Sequence, residues 1–94
     1  MARYTKNRVN DVVGTSPSSV LEANGQRARL WLYGDSGNSG KVYVTWDASA
    51  PSATNYDVEL SAGAGFFLGA EATPAGEIRV IGSAASQRYV IEEG

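Results

Sequence analysis

The segment Gly34-Asp35-Ser36-Gly37 is the first place in this 94-residue chain where residue types and spacing suggest covalent chemistry. The same four residues surround the nucleophilic serine of trypsin-like proteases, where a histidine takes the proton of the serine hydroxyl. This chain contains no histidine, so that mechanism has no base. We therefore expect the segment to be a flexible loop between strands and not a catalytic site.

Acidic and glycine-rich segments offer little more chemistry. Asp35 and Asn38 could bind Ca²⁺ through oxygen atoms, but two ligands fall short of the roughly six to eight that this ion takes. Glycoside hydrolysis needs two carboxyl groups, one of them a general acid. The candidates are Asp47, Asp57 and Glu59, and nothing in their spacing selects two of them. The run from Gly63 to Gly69 lacks the spacing of a nucleotide-binding glycine motif, and we predict a turn leading into a buried, Phe-rich strand.

The amino-acid composition points in the same direction. The chain has neither histidine nor cysteine, the side chains most used for proton transfer near neutral pH, thiol chemistry and soft-metal binding. We therefore expect no enzyme activity, no cofactor and no metal site. A net charge of −2 disfavours nucleic acid as a partner, and no apolar stretch approaches the ~20 residues of a membrane span.

Basic residues are concentrated at the start of the chain. Arg3, Lys6 and Arg8 precede the first acidic residue, Asp11. One interpretation is an ordinary solvated terminus. The other is an arm that binds an acidic surface on a partner protein, because like charges in a short segment attract an oppositely charged surface.

Short runs of apolar or β-favouring residues, separated by Gly, Pro, Ser and Asn, predict about eight strands. The runs are Arg8–Val13, Ser19–Glu22, Arg27–Tyr33, Lys41–Asp47, Tyr56–Leu60, Phe66–Leu68, Glu77–Ile81 and Gln87–Glu92. This pattern predicts an all-β fold, a small antiparallel sandwich or barrel of the jelly-roll-like kind. We expect a basic N-terminal arm and first short strand over residues 1–13, and a single β domain over residues 14–94.

The third and fourth runs alternate most clearly, and we predict that they pair as an antiparallel hairpin around residues 34–40. The hairpin would turn Leu30, Leu32, Val42 and Val44 toward the core and Arg27 toward Asp47. We also predict a second hairpin between the last two runs, through residues 83–86.

The opposite face of the first hairpin would carry large aromatic side chains and an arginine, the residue types enriched in binding hot spots. These residues are Arg29, Trp31, Tyr33 and Tyr43. Three interpretations remain open: the core of a second layer, a subunit or partner interface, and an aromatic platform for a sugar ring.

Several segments, in order, resemble the small virion proteins of tailed phages. The segments are Val20-Leu21-Glu22-Ala23-Asn24-Gly25-Gln26-Arg27-Ala28-Arg29-Leu30-Trp31-Leu32, then Lys41-Val42-Tyr43-Val44, Leu60-Ser61-Ala62-Gly63, and Gly76-Glu77-Ile78-Arg79-Val80-Ile81. The resemblance covers about residues 18–92. Where the pattern usually has an Asn-Ser type turn, this chain has Tyr33-Gly34 and a longer Gly/Ser loop.

The resemblance implies a head decoration (cement) protein that binds the major capsid protein on the capsid exterior of the virion and stabilises the shell, as a homotrimer. The basic residues at the N-terminus would reach an acidic capsid groove, and the aromatic residues would form subunit contacts. The alternative is a carbohydrate-binding or host-recognition β module, as a fibre or tail component, that uses the same aromatic residues.

Overall fold

The computed structural model describes residues 7–69 and 72–94, which form eight strands and no helix. The strands are β1 (Asn7–Val13), β2 (Ser18–Leu21), β3 (Leu30–Gly34), β4 (Val42–Thr45), β5 (Val58–Leu60), β6 (Gly65–Leu68), β7 (Ile78–Gly82) and β8 (Gln87–Glu93). All eight predicted runs are confirmed, with differences of a few residues at their ends.

The strands form two antiparallel four-stranded sheets that pack face to face. Sheet A has the order β1-β8-β3-β6, and sheet B has the order β2-β7-β4-β5. The first strand therefore pairs with the last, the second with the second to last, and so on inward: β1 with β8, β2 with β7, β3 with β6 and β4 with β5. The chain is a long double-stranded ribbon rolled into two layers, which confirms the predicted jelly-roll-like sandwich.

The core lies between the two sheets and is made of alternate residues of each strand. Sheet A contributes Val13, Leu30, Leu32, Tyr89 and Ile91, and sheet B contributes Leu21, Val42, Val44, Leu60, Ile78 and Val80, all buried. The inward positions predicted for Leu30, Leu32, Val42 and Val44 are confirmed. Alternation succeeds here because successive side chains of a strand point to opposite faces.

The two predicted hairpins are wrong. β3 belongs to sheet A, where β6 and β8 flank it, whereas β4 belongs to sheet B between β5 and β7. The last two strands are separated in the same way, β7 in sheet B and β8 in sheet A. Residues 34–40 and 83–86 therefore carry the chain across the core, from one layer to the other.

Arg27 is also misplaced by the hairpin prediction. Its side chain is buried, and its Nε donates to Glu93 Oε1 at 2.6 Å, not to Asp47. The other guanidinium nitrogens donate to three backbone carbonyls, those of Glu22, Pro74 and Gly76. A buried arginine is tolerated here because the ion pair and these hydrogen bonds satisfy its charge and its donors.

β1 runs the full length of sheet A beside β8. Its seven residues pair in an unbroken antiparallel register, from Asn7 opposite Glu93 to Val13 opposite Gln87. Val13 is buried and Val9 packs against the core. The segment from Asn7 onward is therefore part of the sandwich, and Arg8 is a strand residue.

Candidate binding surface on the outer face of sheet A

The outer face of sheet A presents two rows of side chains that cross the strands. The first row is Arg8, Glu92, Trp31 and Phe67, which are successive Cα partners from β1 to β6. The second row is Asn10, Val90, Tyr33 and Gly65. Trp31 and Tyr33 reach this face because their neighbours Leu30 and Leu32 point into the core.

Four of these residues line an open depression that we call the aromatic depression: Arg8, Trp31, Tyr33 and Val90. Its volume is about 280 Å³. Trp31 is 49% exposed and Tyr33 is half-buried. The depression combines two aromatic rings with one cationic side chain. It can hold a ring that stacks on the aromatic side chains and carries an oxygen or nitrogen atom to accept a hydrogen bond from Arg8.

The structure brings together three residues that the sequence analysis singled out for different reasons. Trp31 and Tyr33 were predicted from the aromatic strand, and Arg8 from the basic N-terminal segment. They meet because β1 and β3 both flank β8, which places Arg8 and Trp31 on either side of Glu92. Their role as a partner interface stays a prediction.

Tyr43 does not share this surface. β4 places it on the outer face of sheet B, where its ring lies 5.2 Å from the ring of Tyr56. Its strand partner Glu59 is paired with Lys41 at 2.6 Å, and the hydrogen bond from Lys41 lowers the pKa of Glu59. The prediction that Tyr43 lies on one face with Trp31 and Tyr33 is therefore wrong.

Arg29 comes just before β3, and its side chain is exposed. Its backbone pairs with Gly94, since the Arg29 amide donates to the Gly94 carbonyl and the Gly94 amide donates back. Arg3 and Lys6, the other two predicted interface residues, lie outside the described residues.

Phe67 and Val90 are the large apolar side chains of this surface that the sequence analysis missed. The strand after Gly63 was predicted to be buried, and this is wrong: Phe66 is 40% exposed and Phe67 is 61% exposed. The available signal was the pair of adjacent aromatic residues, because two neighbours in a strand cannot both face one core. The predicted turn is present, with Gly63 at a φ of 79°.

The polar side chains of the loop of residues 34–40 form hydrogen bonds within the loop and to β8. Asp35 Oδ2 accepts from the Gly37 amide at 2.9 Å. The Asn38 side chain bonds both backbone groups of Arg88, donating at 2.8 Å and accepting at 2.7 Å. In residues 7–69 and 72–94, no three acidic, His or Cys side chains are grouped so that they could hold a metal ion.

The chain matches no protein-family model, and no curated protein matches it. Over the part of the chain that the structure describes, no helix is long and apolar enough to cross a membrane.

Proposed function

We propose that this protein is a phage structural protein that binds the exterior of the assembled capsid and stabilises it, as a head decoration protein. The observation that carries the proposal is the aromatic depression, where Arg8, Trp31 and Tyr33 converge on one open sheet face. Tryptophan, tyrosine and arginine dominate the binding energy of protein interfaces. The segment resemblance to tailed-phage virion proteins indicates the kind of partner, the major capsid protein.

Stabilisation would come from binding alone, without a catalytic step. A protein that binds the assembled shell, and not its separated subunits, shifts the equilibrium toward the shell by mass action. The resemblance implies a homotrimer, and three linked copies would bind together more tightly than one.

Arg8 connects the two parts of the predicted interface. Its side chain borders the aromatic depression, and it continues the basic segment that begins with Arg3 and Lys6. An acidic capsid surface beside the depression would pair with these charges. Because Arg8 is exposed, we expect attachment to weaken as the salt concentration rises.

The test is binding of the purified protein to expanded capsids assembled without it, measured by co-sedimentation. We expect Trp31→Ala to weaken binding at least tenfold, since hot-spot residues contribute about 2 kcal/mol or more. Tyr56→Ala is the matched control, because Tyr56 is 42% exposed and lies beside Tyr43 on the outer side of sheet B, away from the depression. Failure of the unaltered protein to bind such capsids, or equal losses in the two variants, would contradict the proposal.

Carbohydrate binding is the second candidate function, and the same depression supports it. An exposed indole beside a tyrosine and a charged donor can stack on a sugar ring and bind its hydroxyl groups. At about 280 Å³ the depression is close to the size of small-ligand sites. Glycan-array binding that Trp31→Ala abolishes, with capsid binding absent from the unaltered protein, would favour this function.

A further inference from the structure

β6 is an edge strand of sheet A with an unusual composition for an exposed edge. Its residues are Gly65-Phe66-Phe67-Leu68, without a charged side chain. Both phenylalanines are exposed, Phe66 at 40% and Phe67 at 61%. Within the described residues its strand neighbour is β3, so the other side of β6 is open. Open apolar edges of this kind are templates for pairing with another strand.

The three other edge strands carry features that oppose such pairing. β1 contains the charged residues Arg8 and Asp11. β2 has a break in its register between Ser19 and Leu21. β5 is three residues long and contains Glu59. Charges, bulges and short length are the usual protections of sheet edges, and β6 has only its modest length of four residues.

The backbone hydrogen bonds decide which groups of β6 face outward. The Gly34 amide donates to the Ala64 carbonyl at 2.9 Å, so these two residues form a hydrogen-bonded pair of the β3–β6 ladder. Hydrogen-bonded pairs alternate in an antiparallel ladder, so Phe66 and Leu68 also bond to β3. The amides and carbonyls of Gly65 and Phe67 therefore point away from β3, and no group in residues 7–69 and 72–94 bonds to them.

We propose that a second copy of this chain joins at this edge, with its β6 antiparallel to the first around a two-fold axis at Phe66. In this register Gly65 lies opposite the second copy's Phe67, and Phe67 lies opposite the second copy's Gly65. The two outward amides and two outward carbonyls of each strand then pair with those of the other strand, which gives four hydrogen bonds. Sheet A becomes one continuous sheet of eight strands.

A second copy is the occupant because this edge is complementary to itself. Its two outward-bonding residues are two positions apart, so a two-fold axis between them matches donors to acceptors on both strands. An uncharged strand also meets its own copy without repulsion between like charges. The side chains single out a second copy, because each strand offers an exposed Phe67 where the other has Gly65.

The side chains fit the same arrangement. The second copy's Phe67 would cover Gly65, where a missing side chain leaves open surface: a Cβ there would stand 4.0 Å from Trp31 Nε1. Aromatic side chains that cover an edge glycine on the neighbouring strand stabilise designed sheets. On the other face, Phe66 would pack against the second copy's Phe66.

This contact is complete with two copies, since both surfaces of a two-fold contact are used by one partner. Its test needs no capsid, and the contact is separate from the homotrimer that the resemblance implies. A trimer would need a different contact, so the two associations can be tested separately.

The absence of native cysteine allows a direct test by engineered disulfides. In the proposed register the two Phe66 Cα atoms would be about 4.5 Å apart, which a disulfide can bridge. The two Phe67 Cα atoms would be diagonal neighbours, more than about 7 Å apart, which is too far. We therefore expect Phe66→Cys to give a covalent dimer on a non-reducing denaturing gel, and Phe67→Cys to stay monomeric.

The matched pair of variants makes the result decisive. Phe67 is the more exposed residue, so random collision would cross-link Phe67→Cys at least as well as Phe66→Cys. Equal cross-linking of the two variants, or none in Phe66→Cys, would overturn the proposal. So would preferential cross-linking of Phe67→Cys, which indicates another register.

Native mass supplies a second measurement. Phe67→Lys places a charge on each side of the contact, and we expect it to halve the light-scattering mass relative to the unaltered protein. Circular dichroism checks that the variant is folded. An unaltered protein at the 9.9 kDa of one chain, or a three-chain mass that Phe67→Lys leaves unchanged, would overturn the two-fold contact.

Discussion

At the scale of single residues, Arg27 shows how far tertiary context can depart from local pattern. It precedes an alternating strand and carries the most hydrophilic kind of side chain, yet it is one of the buried residues. Its guanidinium joins the segment before β3, the segment before β7 and the end of β8 through Glu22, Pro74, Gly76 and Glu93. Arg27 therefore holds three distant parts of the chain together at one end of the sandwich.

Replacing Arg27 tests this role. We expect Arg27→Met to lower the free energy of unfolding by about 3–5 kcal/mol, because it leaves the buried Glu93 carboxylate without this partner. Lys41→Met is the control: it breaks the Lys41–Glu59 pair, which has the same 2.6 Å distance but whose side chains are 48% and 29% exposed, and we expect a much smaller loss. Urea denaturation measures both variants. Losses of similar size would show that burial of the Arg27 pair does not matter.

Tyr89 predicts a dependence of stability on alkaline pH. Burial raises the pKa of its phenol, and the nearby Asp11 carboxylate raises it further. The unfolded chain releases this proton near pH 10. The contribution of Tyr89 is thus fully present below pH 10 and is lost as the pH rises through the pKa of the folded state.

We expect the free energy of unfolding to fall more steeply above pH 10 in the unaltered protein than in Tyr89→Phe. Urea denaturation at a series of pH values from neutral to alkaline measures the two slopes. Parallel curves for the two proteins would contradict the assignment, since the phenol would then contribute nothing to the pH dependence.

At the scale of elements, the connections decide the architecture more than the strands do. The turn before β6 positions Gly63 at a φ of 79°, and both the Gly63 amide and the Ala64 carbonyl bond to Gly34. Two residues thus oppose one, which is a β-bulge with glycine in the left-handed position. The bulge aligns β6 with β3 and so determines which of its backbone groups face outward.

The connection between β6 and β7 offers a test at this scale. A Cβ at Gly76 would overlap the carbonyl oxygen of Trp46, where this connection passes the loop between β4 and β5. We expect Gly76→Ala to cost about 1–3 kcal/mol of stability, as overpacking does. Gly25→Ala is the control, since a Cβ there meets nothing within 4 Å and we expect a change within about 0.5 kcal/mol. Thermal unfolding compares them, and equal midpoints would contradict the predicted overlap.

At the scale of the whole molecule, the pairing of β1 with β8 joins the two ends of the chain. Terminal segments usually tolerate truncation, but here β1 covers one side of β8 over seven residue pairs and buries Val13. The boundary predicted at residues 13 and 14 stays a prediction, and a truncation tests it.

We expect a chain of residues 14–94 to lose its cooperative unfolding transition or to unfold at much lower urea concentration. The reason is that β8 would become an open edge and the core would lose the side chains of Val9 and Val13. Circular dichroism during urea denaturation measures this loss. A truncated chain as stable as the full chain would show that residues 14–94 form the domain alone.

The sequence pattern predicts where the strands lie, but it does not predict which strands pair. Alternation in single runs, such as Leu30-Trp31-Leu32-Tyr33, is local, so the eight strands and the inward residues of β3 and β4 could be predicted. The partner of each strand could not, because β3 and β4 carry the same inward pattern whether they lie side by side or face each other across the core. The candidate surface divides in the same way: Trp31 and Tyr33 could be predicted, but their meeting with Arg8 and separation from Tyr43 could not.

The amino-acid sequence by itself determined a small, all-β, jelly-roll-like sandwich without histidine or cysteine, and an aromatic strand with an outward face. Only the tertiary structure decided that this face meets Arg8 of β1, that Arg27 is buried, and that β6 is an open edge among the described residues. The physical reason is that side-chain periodicity depends on neighbours along the chain, whereas strand pairing depends on how two layers share one core.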